Sequence, residues 1–162
     1  MLIKIDKKSD LEDNIKNNKI DLNKYKYLAY LDIDDFAMFN AIYGHQEADK
    51  QLEKIEKILK DNFDLNIILR WAGDEFLILF KEDNDNLNKL KYIQTLINDE
   101  TIRLDKEIYQ QYVKYFSISI SYIENININT WEDLNNITQK ALQNIIDKKC
   151  LTNPMSQSII AL

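Results

Sequence analysis

Apolar residues recur along this chain in two rhythms, and the switches between them outline its elements. Gln46–Phe63 has a helical period: Leu52, Ile55, Leu59 and Phe63 are spaced by three and four, with Lys and Glu on the other faces. Asn84–Asn98 repeats the pattern with Leu87, Leu90, Ile93, Leu96 and Ile97, and Trp131–Ile146 with Leu134, Ile137, Ala141, Leu142 and Ile145. Tyr27–Leu31 is a short apolar and aromatic run, the mark of a buried strand. Phe116–Tyr122 alternates, with Ser117, Ser119 and Ser121 set against Phe116, Ile118, Ile120 and Tyr122, which predicts a strand with one face buried. Ile67–Leu69 and Phe76–Phe80 flank the polar turn Ala72-Gly73-Asp74-Glu75 and predict a hairpin. Weaker signals predict a strand over Leu2–Ile5 and a helix capped at Ser9 or Asp10, running to about Asn18 with Leu11, Ile15 and Ile20 on one side. They also predict a brief helix over Phe36–Tyr43, capped by Asp35 and ended by Gly44. The stretch from Thr101 to Lys114 carries no clear signal. The resulting order, strand, helix, helix, hairpin, helix, strand, helix, predicts a sheet covered by helices on one face or both.

Composition narrows the chemistry. A chain of 162 residues with 45% hydrophobic content is long enough for one domain with a sizeable core. The formal net charge of −6 argues against nucleic acid as a partner, because a basic surface supplies most of that affinity. A single cysteine and a single histidine leave no intrachain disulfide and no Cys/His zinc cluster. A metal here is expected to be a hard cation on oxygen ligands, Mg²⁺ or Mn²⁺. The N-terminus is too polar for a signal peptide and no run reaches membrane-span length, so the expected location is cytoplasmic, with no membrane partner.

Two acidic clusters then stand out. Asp32 and Asp34 close the first long strand, and Asp74 and Glu75 sit at the hairpin beside Gly73, one of only two glycines. Residues two apart on a strand face the same side. If the two strands are neighbours, carboxylates from both meet at one sheet edge, where their repulsion is usually neutralised by a cation. A cation so placed can clamp a triphosphate and activate a hydroxyl. The plain alternative is a solvated acidic rim.

Asp32-Ile33-Asp34-Asp35-Phe36, then Asn40, Gly44-His45 and Asp49, then Arg70-Trp71-Ala72-Gly73-Asp74-Glu75-Phe76 closely resemble the GGDEF family of nucleotide cyclases, with a variant Ala-Gly-Asp-Glu-Phe signature. The resemblance covers about Tyr27 to Cys150. It implies an α/β (α+β), palm-like fold whose central, mostly antiparallel sheet of about five strands is flanked by helices. It divides the chain into an N-terminal extension packed on the domain (1–26), the cyclase domain (27–150) and a C-terminal tail (151–162). By position, it implies metal on Asp32, Asp74 and the Ile33 carbonyl, and activation of a ribose 3′-hydroxyl by Asp74 with Glu75. It further implies phosphate on the backbone amides of Asp35 and Phe36, guanine on Asn40 and Asp49, and close approach of the nucleotide at Gly73. His45 is then either a neighbour of the base or a structural residue.

The implied activity is Mg²⁺-dependent condensation of two GTP into cyclic di-GMP by a transient homodimer. No sensor segment is expected before the domain, and its input is expected from a separate sensor or effector protein. Several positions depart from the family pattern. Ala72 replaces the first signature glycine, Ala37 a common lysine, Ala41 an acidic residue and Ala48 another glycine. Ile146 and Cys150 stand where a basic pair is usual, leaving Lys148 or Lys149 to meet the triphosphate. No Arg-x-x-Asp precedes the signature, so the family's product-inhibition site is expected to be absent. These departures keep two alternatives open: a degenerate domain that binds nucleotide and signals through a partner, or a stand-alone palm-type polymerase making another cyclic oligonucleotide.

Overall fold

The computed structural model describes residues 5–63, 66–102, 117–151 and 159–161. Its strands are β1 (Tyr27–Ile33), β2 (Ile67–Ala72), β3 (Glu75–Phe80), β4 (Ile118–Glu124) and the three-residue β5 (Ile159–Ala161). They form one sheet in the order β2–β3–β1–β4–β5. The four longer strands pair antiparallel, and β5 lies parallel to β4 at one edge. The helices are α1 (Lys8–Lys16), α2 (Phe36–Tyr43), α3 (His45–Asn62), α4 (Asn86–Ile102) and α5 (Trp131–Leu151). The expected mostly antiparallel sheet flanked by helices is borne out. Among the described residues, no helix is long and apolar enough to cross a membrane.

Alternation along the strands sends successive residues to opposite faces, and both faces are covered. Ala29, Leu31, Ile33, Phe76, Ile78, Phe80, Ile118 and Ile120 meet Phe39 of α2, Leu52, Ile55 and Leu59 of α3, and Leu90 and Ile93 of α4. On the other face, Leu28, Tyr30, Leu69, Trp71, Leu77 and Leu79 meet Leu11 and Ile15 of α1 and Leu134, Ala141 and Ile145 of α5. Each fully buried Leu or Ile contributes about 1.5–3 kcal/mol. The helical stripes read from the sequence are thus the packing faces. The three helices covering the first face leave the second to the chain's two ends. Lys8 at the start of α1 lies over the Trp71 ring, 4.0 Å from its centroid, and Trp71 tilts against Trp131 of α5 at 5.5 Å.

Three expectations need correction. β4 is buried on both faces: Ser117, Ser119 and Ser121 are 2%, 0% and 0% exposed, because α5 covers the face they occupy. Alternation of Ser with Ile cannot reveal this, since a hydroxyl enters a core only where it finds a partner. Two find one in Asp34, itself buried, whose Oδ2 accepts from Ser117 Oγ and Oδ1 from Ser119 Oγ, each at 2.7 Å. Second, the cap of α1 comes from inside the helix, as the Asp10 carboxylate accepts from the backbone N–H of Lys7 at 3.0 Å. Third, Ile5 is not in a strand; Lys7 instead forms an isolated parallel bridge to Arg70. The rest of the expected Leu2–Ile5 strand lies outside the described residues, as do Phe116 and most of the unread 101–114 stretch.

Ser119→Ala should cost roughly 1–3 kcal/mol because it strips a donor from a buried carboxylate. Ser121 Oγ is buried without a hydrogen-bond partner among the described residues, so Ser121→Ala should be neutral or stabilising by up to about 1 kcal/mol. Urea unfolding of both variants checks the contrast, and equal losses would abolish it. At α5, the Asp133 carboxylate accepts from the N–H groups of Asn129 and Thr130, both at 2.9 Å, while Thr130 Oγ1 accepts from the Asp133 N–H at 3.1 Å. The Asn129 and Thr130 donors hold the Asp133 carboxyl below its ordinary value. The unfolded chain therefore takes up this proton first, and the cap's contribution is present above the unfolded value and lost as pH falls through the folded one. Asp133→Ala should lower Tm at neutral pH, with the gap to the parent closing as pH falls through the ordinary carboxylate range and below it in a melting series.

Candidate functional site

The two acidic clusters meet because β1 and β3 are antiparallel neighbours. Their register runs from Tyr27 opposite Phe80 to Asp32 opposite Glu75. Beyond the last pair, the Ile33 N–H donates to the Asp74 carbonyl at 3.3 Å, tying the end of β1 to the β2–β3 turn. Asp32, Asp74 and Glu75 are half-buried. β2 carries a bulge at Trp71, between the pairs Arg70–Phe76 and Ala72–Glu75. The bulge sets Trp71 into the core and leaves Ala72 exposed. Gly73 turns at φ +26°, and among the described residues beyond its own chain neighbours nothing lies within 4 Å of where a Cβ would stand.

Asp34, the fourth carboxylate of the clusters, does not share this edge's exposure; its two serine partners engage it in the interior. The sequence also gave no role to Tyr30, which the structure adds to the site. Its hydroxyl donates to Glu75 Oε2 at 2.6 Å. Burial first, then the hydrogen bond to Glu75 and the charges of Glu75, Asp32 and Asp74, push the Tyr30 hydroxyl far above its ordinary value, so it stays a donor. A signal was available: Tyr30 stands two positions before Asp32, on the same face.

The Asp34–Asp35 turn leads from β1 into α2. Asp35 takes a left-handed conformation, φ 55° and ψ 28°, and its carbonyl accepts from the Phe39 N–H at 3.1 Å. Its side chain makes no cap bond, contrary to expectation. A side-chain cap requires extended backbone, which a left-handed residue lacks. The amides of Asp35 and Phe36 stand at the start of this helix. Gly44 joins α2 to α3 at φ +85°; its N–H donates to the Asn40 carbonyl at 2.9 Å and its carbonyl accepts from the Ala48 N–H at 3.1 Å. This joint sets Asn40 on the last turn of α2, His45 at the first position of α3 and Asp49 one turn later, the latter two exposed. Asn40 Oδ1 is buried without a hydrogen-bond partner among the described residues. Lys148 is exposed near the end of α5, and the Lys149 side chain lies outside the described residues. Ile146, at the place of an expected basic residue, is 43% exposed.

Among the described residues, no three Asp, Glu, His or Cys side chains converge as a metal-holding group. Asp32, Asp74 and the Ile33 carbonyl offer hard oxygen donors only. That set fits Mg²⁺, which commonly takes one or two carboxylates and completes its shell with phosphate and water.

The family model described as "Diguanylate cyclase, GGDEF domain" matches residues 7–150. The probable diguanylate cyclase DgcI of Escherichia coli K12 is 38% identical over 56 residues, 33% of this chain and 13% of that protein. Diguanylate cyclase DosC of the same strain is 32% identical over 74 residues, 45% of this chain and 15% of DosC. The matched stretches thus span well under two thirds of these relatives. The GGDEF domain of DgcB from Caulobacter crescentus, solved in complex with c-di-GMP, aligns over 96% of this chain and 87% of its own with a TM-score of 0.69 at 18% identity. The active GGEEF domain of a diguanylate cyclase from Vibrio cholerae aligns over 98% and 97% with a TM-score of 0.63 at 14% identity. At these identities the structural likeness is one of fold.

The left-handed turn at Asp35 is separable from a capping role. Asp35→Asn and Asp35→Gly should keep the parent's stability, whereas Asp35→Ser should lose about 1 kcal/mol, because serine caps well but disfavours this backbone. Urea unfolding that finds the serine variant unchanged would restore the cap.

Proposed function

Because this chain belongs to the GGDEF family of diguanylate cyclase domains, we propose that it condenses two GTP molecules into cyclic di-GMP and releases two pyrophosphates. The resemblance read from Asp32–Asp49 and Arg70–Phe76 is borne out at the level of the family. The observation that carries the activity is the β1–β3 register, which sets Asp32 opposite Glu75 and ties Asp74 to Ile33.

Asp32, Asp74 and the Ile33 carbonyl would hold Mg²⁺, or Mn²⁺. Bound there, such an ion supplies charge to the triphosphate and lowers the pKa of a coordinated hydroxyl. The chain's own residues do the rest. Asp74 and Glu75 orient the ribose 3′-hydroxyl and draw its proton as it attacks the α-phosphate of the other GTP, from which pyrophosphate leaves. The amides of Asp35 and Phe36, at the N-terminus of α2, receive phosphate oxygens. Asn40 and Asp49 take the guanine edge. Asn40 Oδ1, which has no hydrogen-bond partner among the described residues, supports this, because it is an acceptor that an N–H donor would satisfy. Each domain binds one nucleotide, so two copies must face each other, and the pairing is transient.

A second reading, a domain that binds nucleotide without turnover, is favoured by exposed Ile146 at the place of a basic residue and by α2, which carries no charged side chain. Purified protein at high concentration with Mg²⁺ and each NTP, analysed by mass spectrometry, separates the two. The expected product is cyclic di-GMP from GTP, with Asp32→Ala and Asp74→Ala each abolishing it. Calorimetric GTP binding with no cyclic or linear product would establish the second reading instead.

A further inference from the structure

Tyr30 is the best-anchored side chain touching the acidic edge. Its ring is 1% exposed and sits in the second core with Leu28, Leu69 and Leu77. The register places it opposite Leu77, one same-face step from Glu75, and the phenol reaches diagonally across β1–β3 to donate a hydrogen bond to Glu75 Oε2 at 2.6 Å. Only two torsions place a tyrosine hydroxyl, and here the ring they orient is packed on all sides. Glu75 needs three, it starts at the rim of the sheet, and it faces Asp32 directly across the pair. Opposed carboxylates repel, so a glutamate there has reason to swing away.

We propose that Tyr30 is a positioning residue: its hydroxyl holds the Glu75 carboxylate in one orientation beside Asp32 and Asp74, and turnover depends on that hold. With Oε2 engaged by Tyr30, the other oxygen, Oε1, is the one directed to the reacting nucleotide. This rests on the cyclase reading for its catalytic consequence and on the geometry alone for the hold itself.

Tyr30→Phe removes one oxygen and keeps the ring. In the GTP and Mg²⁺ assay it should lower kcat roughly tenfold or more, with the KM for GTP within about twofold of the parent. A packing defect would instead move kcat and KM together, and that result overturns the proposal, as does a variant with the parent's kcat. If the parent makes no product, the cyclase reading falls, and the hold is decided by melting Tyr30→Phe, Glu75→Ala and the double variant. Each single variant should lower Tm by about 3 °C, and the double should lose clearly less than the sum. Additive losses overturn the hold whatever the fate of the activity.

Discussion

The antiparallel register of β1 on β3 is the constraint on which the acidic edge depends. A shift of one residue would move every side chain of β1 to the opposite face, sending Tyr30 and Asp32 toward α3 and Ala29 and Leu31 toward α5. Such a slip is blocked from both sides, because β1 is hydrogen-bonded to β3 and to β4 over nearly its whole length. Both of its faces are also buried, and the residues on each are matched to different helices. The carboxylates of Asp32 and Glu75 are therefore held opposite each other by the whole core, through a pairing that neither could enforce alone.

Much of this could be read from the chain. The long helices declare themselves through residues such as Leu52, Ile55 and Leu59, whose spacing has one physical meaning. The hairpin follows from Gly73 and its apolar flanks. What stayed hidden shares a cause: a polar residue's role depends on a partner distant in sequence. Ser117 and Ser119 looked like a solvent face until Asp34, more than eighty residues away, supplied the carboxylate that lets them be buried. Tyr30 looked like one more apolar strand residue, since its hydroxyl has meaning only beside Glu75, forty-five residues on. Asp35 was misread for a local reason: its composition suits a cap, but the backbone angles decide the matter.

The alanine in the signature is clearer in this light. Ala72 lies in strand β2, is exposed, and is not among the residues with positive φ. The fold therefore has no need of glycine at that position. The extra methyl is exposed and leaves the folding of the hairpin alone. The same separation applies to α2, whose Phe36 and Phe39 pack against the core while Ala37 and Ala41 face outward. Ala48 differs from these three, because it is buried in the first core.

The junction of Lys8, Trp71 and Trp131 has an optical consequence. Trp71 and Trp131 are the chain's only tryptophans, and they lie within one aromatic pair. The tryptophan emission of this protein thus comes from a single locus, where the first helix, the last long helix and the strand entering the signature turn converge. Trp71 stands two residues ahead of Gly73, so the chain carries its own fluorophore at the neck of the hairpin, already in place and requiring no label.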